Sequence, residues 1–323
     1  MLKFFLLLKF LFISPRYSGG IGGHASMLAD QLSKSGHNVT KMTTPHIPIK
    51  NLKNPSFAVF GVIKGMINRE QYDIVHAFNV PSGFAMNYAK GRKKVLSIHG
   101  VFSDQVQKLH SKTVSSVAST TESKILKWAD KVTTDSKFSQ KIYKEKLGFD
   151  FEYLPSPIDT EKMNEIRDVA KKEKQVIYLG RDSFEKGIDI LKNIESKING
   201  DVVYCVDQPW EDAMQLLKSS TILVVPSRME SLPTIIKEAF YLKIPVIATS
   251  VGGIPELIED NKTGLLTDPE NSEMLLDKIN QLLTDQTLQE KISINGYDFV
   301  LNNFTWTKIL PNYIKFYKKL LET

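Results

Sequence analysis

A single cysteine, Cys205, in 323 residues leaves no partner for an intramolecular disulfide. It sits in the strand-like run "DVVYCVD", where a thiol reads as a buried, inert apolar group. A reducing, cytoplasmic compartment fits. Long apolar runs are also missing. The opening "MLKFFLLLKFLFIS" is broken by Lys3 and Lys9. No small-residue cleavage site follows it, and a bilayer span needs roughly 20 apolar residues. It reads as a first buried strand, "KFLFIS", with a few residues ahead; the other reading is an interfacial anchor. No solenoid repeat, no low-complexity tract and no His/Asp/Glu grouping at metal-ligand spacing occurs. A diffuse charge without a base-stacking motif argues against nucleic acid.

What is present is a soluble composition, 42% hydrophobic and 24% charged, long enough for two domains. Charge is divided unequally. Residues 1–160 hold 22 Lys and Arg against 11 Asp and Glu, a net of +11. Residues 161–323 hold 20 against 25, a net of −5. The first half therefore suits an anionic partner. Short Val- and Ile-rich runs alternate with helix-like runs. Strands are predicted at "KFLFIS", "NVTKMTT", "YDIVHAF", "KKVLSIHG", "KVTTDS" and "FEYLP", then at "QVIYLG", "DVVYCVD", "TILVVPS", "PVIATS" and "GLLTD". This alternation predicts an α/β fold with parallel sheets covered on both faces. The proline-led, charged stretch 155–175 reads as a linker. The expected division is 1–160, 161–304 and a C-terminal helix, 305–323. That helix places Trp306, Ile309, Tyr313 and Phe316 on one face, to be packed on the protein itself.

Four strand-to-helix loops carry candidate chemistry. "SPRYSGGIGGH" places Gly19, Gly20, Gly22 and Gly23 where backbone amides can approach a phosphate or sugar, or where the chain simply turns. It is not the dinucleotide fingerprint. "YLGRDSFEKGIDIL" sets Arg181 and Lys186 beside a helix start, as a diphosphate site or as solvated cations. In "PSRMESLPTIIKEAF", Glu230 falls in a loop and Glu238 about one turn inside a helix that begins near Pro233. A phosphate on the amides of residues 232–234 would put an attached ribose near Glu238. Glu230 would reach the other side of those phosphates. The bland alternative is two exposed glutamates favouring the helix dipole. "TSVGGIPELIEDNKTGLL" adds another turn on the same sheet edge.

With "GGIGGH", "SIHG", "GRDSFEKG", "PSRMESLPTIIKEAF", "PVIATSVGGIPELI" and "NKTGLL" in this order, the chain resembles glycosyltransferase family 4, a retaining group with the GT-B fold. The resemblance implies two Rossmann-like domains facing across a cleft, with the C-terminal helix packing back on the first. It implies Arg181 and Lys186 on the donor diphosphate, Glu238 on the ribose and Glu230 on the donor sugar. Leu232, Pro233 and Thr234 would meet sugar and phosphates, Gly19 and Gly20 would line the donor side, and His99 would lie near the donor sugar. No metal and no further cofactor are implied. Two departures stand out. The segment from Ile198 to Ser227 is short by a strand and a glycine-rich turn, and Ser156-Pro157 replaces a common Asn-Gly pair.

The implied reaction is transfer of a hexose-type sugar from a UDP- or GDP-type donor to a glycan, glycolipid or other hydroxyl acceptor, with retention. Arg181, Lys186, Glu230 and His99 are the catalytic candidates. Lys137, Lys141 and Lys144 share a helix face beside Phe138 and Ile142, and with "KGRKK" they suit an anionic acceptor or a peripheral seat on the inner face of a membrane. The rival readings are a non-catalytic sugar-nucleotide-binding partner subunit and a sugar-nucleotide epimerase.

Overall fold

A computed structural model describes residues 7–15, 20–43, 47, 49, 53–100 and 120–323. Gly19 and residues 16–18 of its loop lie outside that set. The chain forms two compact units: residues 1–156 with 309–323, and residues 157–308.

In the first unit six parallel strands lie in the order β2-β1-β3-β4-β5-β6. They are β1 (Lys9–Ile13), β2 (Asn38–Met42), β3 (Tyr72–Phe78), β4 (Gly91–Ser97), β5 (Lys131–Thr134) and β6 (Glu152–Tyr153). The second unit has a five-stranded parallel sheet, order β11-β10-β9-β7-β8. Its strands are β7 (Gln175–Leu179), β8 (Asp201–Cys205), β9 (Ile222–Val225), β10 (Val246–Thr249) and β11 (Leu265–Thr267). Of the eleven strands among the described residues, ten fall within the predicted runs, and β4 begins two residues ahead of its run, at Gly91. The reason is elementary: β9, for instance, is Ile-Leu-Val-Val and is buried at every position, so both of its faces are covered. Cys205 ends β8 and is buried, and burial raises its thiol pKa.

The C-terminal helix Trp306–Glu322 buries Trp306, Ile309, Tyr313 and Phe316, the face expected from the sequence. From Ile309 onward it belongs to the first unit. There Tyr313 bonds His24 at 2.9 Å and donates to the Leu154 carbonyl at 3.0 Å. Tyr317 lies 2.8 Å from Nδ1 of His76, a histidine wholly inside the sheet layer.

Two expectations need correction. Residues 155–175 are not a free linker. Ile158 pairs with Thr305 as a bridge, Asp159 caps the short helix Thr160–Asn164, and Met163 and Ile166 are buried in the second core. High local charge concealed three anchoring apolar groups. The helix Lys53–Ile67 was not foreseen. Its sequence is apolar on every side, so it shows no 3.6-residue stripe.

Candidate active site at the strand ends of the second sheet

In the second sheet β7 pairs with β8 on one side and β9 on the other, so the chain leaves β7 and β9 in opposite directions. Open α/β sheets bind ligands at such a switch point, outside the carboxyl ends of the strands. Arg181 and Lys186 follow β7. Glu230 and the Thr234–Tyr241 helix follow β9, and the Gly252-Gly253 turn follows β10. Three adjacent strands thus deliver three loops to one edge.

Those loops are seated on one another by backbone contact. Gly187 has φ +64°, and a Cβ built there would lie 2.0 Å from the Pro226 carbonyl oxygen. Gly252 has φ +56°, and its Cβ would lie 1.9 Å from the Glu230 carbonyl oxygen. Only glycine allows both the left-handed backbone and this approach. The amides of Arg228 and Met229 donate to the Glu185 carbonyl, at 2.9 and 3.3 Å. The Arg228 guanidinium clamps the same place. It bonds both oxygens of Asp189 at 2.7 Å, bonds Glu270, donates to the Phe184 carbonyl at 2.9 Å, and stacks 4.2 Å from the Phe184 ring centroid. These bonds raise the Arg228 pKa further and hold the Asp189 carboxyl low.

Within this frame Lys186 Nζ lies 2.7 Å from Glu230 Oε1, which also accepts from Ser227 Oγ at 2.8 Å. Both bonds fall on one carboxylate oxygen. The Glu230 side chain is only 9% exposed and that of Lys186 25%. Arg181 is the more exposed cation: 65% exposed, it pairs with Glu185 at 2.9 Å. The Tyr178 hydroxyl donates to the Arg181 carbonyl at 2.7 Å. Burial raises its pKa, and Asp182, Glu230 and Glu185 raise it further against the lowering effect of Arg181. Lys186 and Glu230 thus form one pair, while the Arg181 side chain, on the same loop as Lys186, is held by Glu185.

The next helix begins at Thr234, one residue beyond Pro233, with no side-chain cap. Leu232 and Pro233 are buried and Thr234 is half-buried, so the stretch is fixed in place. An uncapped amide end carries partial positive charge and suits an anion. Glu238 is the fifth residue of that helix and half-buried. Its Oε1 accepts from the Trp210 indole at 2.8 Å. Burial raises the Glu238 pKa, while the Trp210 bond, Lys237 and Lys162 pull it back.

The remaining two described candidates belong to the first unit. Gly20 opens the helix Gly20–Lys34 with φ +45°. His99 follows β4, with Nδ1 3.3 Å from Asp135 Oδ2 and its ring 5.3 Å from that of His24. Among the described residues no His, Cys, Asp or Glu group could hold a metal ion. Sequence reasoning missed Tyr178, Arg228 and Trp210. An arginine inside "PSRMES" was a visible signal, because a buried cation between two loops needs acids from both.

The chain is similar to known proteins in sequence and in fold. The family described as Glycosyltransferase Family 4 matches residues 18–162, and that described as Glycosyl transferases group 1 matches residues 192–299. An uncharacterized glycosyltransferase of Methanocaldococcus jannaschii is 24% identical over 95% of this chain and 96% of its own. Sucrose-phosphate synthase from Thermosynechococcus elongatus superposes with a TM-score of 0.82 at 18% identity, over 98% of this chain and 99% of that one. Anabaena HepE in complex with UDP-glucose does so with a TM-score of 0.72 at 17% identity, over 97% and 100%. Matched families and relative alike are glycosyltransferases, which decides for transfer over the epimerase and the non-catalytic partner. With its two parallel sheets, its charged switch-point loops and these matches, the chain is a glycosyltransferase of family 4 with the GT-B fold, and an enzyme.

Proposed function

We propose that this enzyme moves a sugar from a UDP- or GDP-type donor to a hydroxyl of a glycan or glycolipid, with retention of anomeric configuration, at an anionic membrane surface. The observation that supports the donor half is the Lys186–Glu230 pair, with Arg181 on the same loop as Lys186, on the edge from which the uncapped Thr234 helix also departs. A diphosphate needs cations and amides together. The bound UDP-glucose of HepE, a protein of the same fold, supports the same donor class.

In this reading the charge that develops on the leaving diphosphate meets Arg181, Lys186 and the amides near Thr234. The free oxygen of Glu230, beside the one that Lys186 and Ser227 occupy, accepts from a donor-sugar hydroxyl. Glu238 takes the ribose, and Leu232 and Pro233 shape the wall. By resemblance to the family, Gly19 and Gly20 are assigned to the donor side and His99, 3.3 Å from Asp135, to the donor sugar. No carboxylate is assigned as nucleophile: departure and attack occur on one face through an oxocarbenium-like state. Loss of one electrostatic partner costs about 3–4 kcal/mol of barrier. Arg181→Ala is accordingly expected to lower turnover on the order of a hundredfold with the fold intact. Near-normal turnover removes the diphosphate assignment. A glycosyl group trapped on Glu230 removes the one-face mechanism.

The membrane half rests on the helix Lys53–Ile67. Gly61 and Gly65 seat one of its sides against Ala85. Its other side exposes Val59, Phe60, Ile63, Met66 and Ile67, the last by 71%. Residues 31–69 contain six Lys and Arg and no Asp or Glu. An exposed apolar side on a helix within a cation-rich stretch of sequence fits an anionic lipid surface. Among the described residues no helix is long and apolar enough to cross a bilayer. Flotation with anionic and neutral vesicles tests this. Binding to the anionic vesicles that weakens with salt and is lost in Ile63→Glu/Met66→Glu is expected. Absence of binding at low salt ends the membrane reading and leaves the donor reading untouched.

A further inference from the structure

The glutamate assigned to the ribose is already engaged, and by a residue no motif includes. Trp210 opens the helix Trp210–Ser219, directly after the edge strand β8. Its indole N–H is 2.8 Å from Glu238 Oε1, across 28 residues of sequence. One face of the same indole is covered by Lys162 Nζ, 4.1 Å from the ring centroid. Lys162 is itself held by Glu211, the next residue along, at 3.0 Å. The indole therefore has its plane set by a cation and its edge set by a carboxylate. Among the described residues, Lys162 from the helix Thr160–Asn164, Lys237 beside Glu238 and the Trp210 N–H act on this carboxylate.

We propose that Trp210 is a positioning residue for donor binding: by occupying Oε1 it fixes the Glu238 carboxylate so that Oε2 faces the ribose hydroxyls. The inference rests on the donor reading above and adds to it a residue the segment between β8 and β9 supplies. A carboxylate free to rotate loses orientational entropy when it accepts from a vicinal diol. One oxygen already bonded removes most of that cost. The bond also favours the charged form, which is the form that accepts.

The test uses the whole chain and UDP, GDP and their 2′,3′-dideoxy counterparts, which lack both hydroxyls, read by calorimetry. The first arm is wild type. If it binds neither UDP nor GDP, the donor reading falls and this inference with it. If it binds one, Trp210→Phe is compared with that nucleotide and its 2′,3′-dideoxy form. Phe keeps the ring for Lys162 and removes only the N–H. The expected result is about tenfold weaker binding of the ribonucleotide, little change for the dideoxy form, a raised donor KM and kcat within about twofold at saturation. In a Glu238→Ala background Trp210→Phe is expected to add nothing. Lys162→Met, which leaves the N–H but uncovers the ring, is expected to weaken the ribonucleotide by about twofold. Equal weakening of both nucleotides would mark a packing effect and overturn the inference. So would unchanged ribonucleotide affinity in Trp210→Phe, and in that case the donor reading survives alone.

Discussion

The two units use the same strand–helix alternation but hold polar groups in opposite ways. In the first, the polar side chains under the C-terminal helix form a buried neutral network. His76 lies between Tyr317 at 2.8 Å and Ser97 at 2.6 Å, and Ser97 meets Thr133 at 2.5 Å. Burial drives the His76 pKa down to about 3, with a further push from His99. In the second, polar groups at the strand ends are ionised pairs: Lys186 with Glu230, and Arg228 with Asp189 and Glu270. A neutral network fixes geometry without attracting an anion. Charged pairs near a surface can exchange a partner for a ligand, which is what a diphosphate site requires. The neutral network of the first unit seats a helix, whereas the charged pairs of the second hold loops at the strand ends.

The sharpest way to break this contrast is at the glycine contacts of the second unit. Gly252→Ala places a methyl into the Glu230 carbonyl at a left-handed residue. The backbone alone costs about 1–2 kcal/mol, and relief of the clash displaces Glu230. Turnover is expected to fall a hundredfold or more and the melting temperature by several degrees. Activity assays beside thermal unfolding check this. An alanine variant with wild-type turnover would show that the loops are not seated as described.

The next effect belongs to the first unit and depends on pH. His76 is neutral when folded, whereas the unfolded chain takes up a proton near pH 6.5. Stability is therefore full above about pH 6.5 and declines as pH falls toward the folded pKa of about 3. The decline amounts to about 3 kcal/mol by pH 4. His76→Gln is expected to be less stable at pH 7 yet to show a flatter acid limb, by denaturant unfolding at several pH values. An unchanged acid limb would mean that His76 is not the buried neutral group.

Smaller effects sharpen the comparison. Tyr317→Phe removes the hydroxyl from His76 and is expected to cost about 1–1.5 kcal/mol without touching donor affinity. Arg228→Lys keeps the charge but cannot bridge Asp189 and Glu270 through a planar fork. Its acids are half-exposed, so the stability loss is expected to be on the order of 1 kcal/mol. The donor KM should nevertheless rise, because the Glu230 loop loosens. Calorimetry and steady-state kinetics separate the two variants: one should alter stability alone, the other both.

Much of this was legible in the amino acids. Every strand, the buried thiol of Cys205, the packed face of the C-terminal helix, the loops bearing Arg181, Lys186 and Glu230 and the helix bearing Glu238 follow from apolar periodicity, turn residues and motif order. Periodicity works where an element has one buried face. It failed at Lys53–Ile67, apolar on both sides, and at 155–175, where Ile158, Met163 and Ile166 anchor a charged stretch to a core.

Pairings between distant side chains were beyond it. Local pattern determined that these strands form and that carboxylates and cations lie at their ends. Only the tertiary structure decided that Lys186 faces Glu230, that Arg228 ties two loops and that Trp210 reaches Glu238. The physical reason is range. Strand and helix formation is governed by neighbours a few residues away, whereas an ion pair or an indole N–H finds its partner only after the sheet has brought separate loops to one edge.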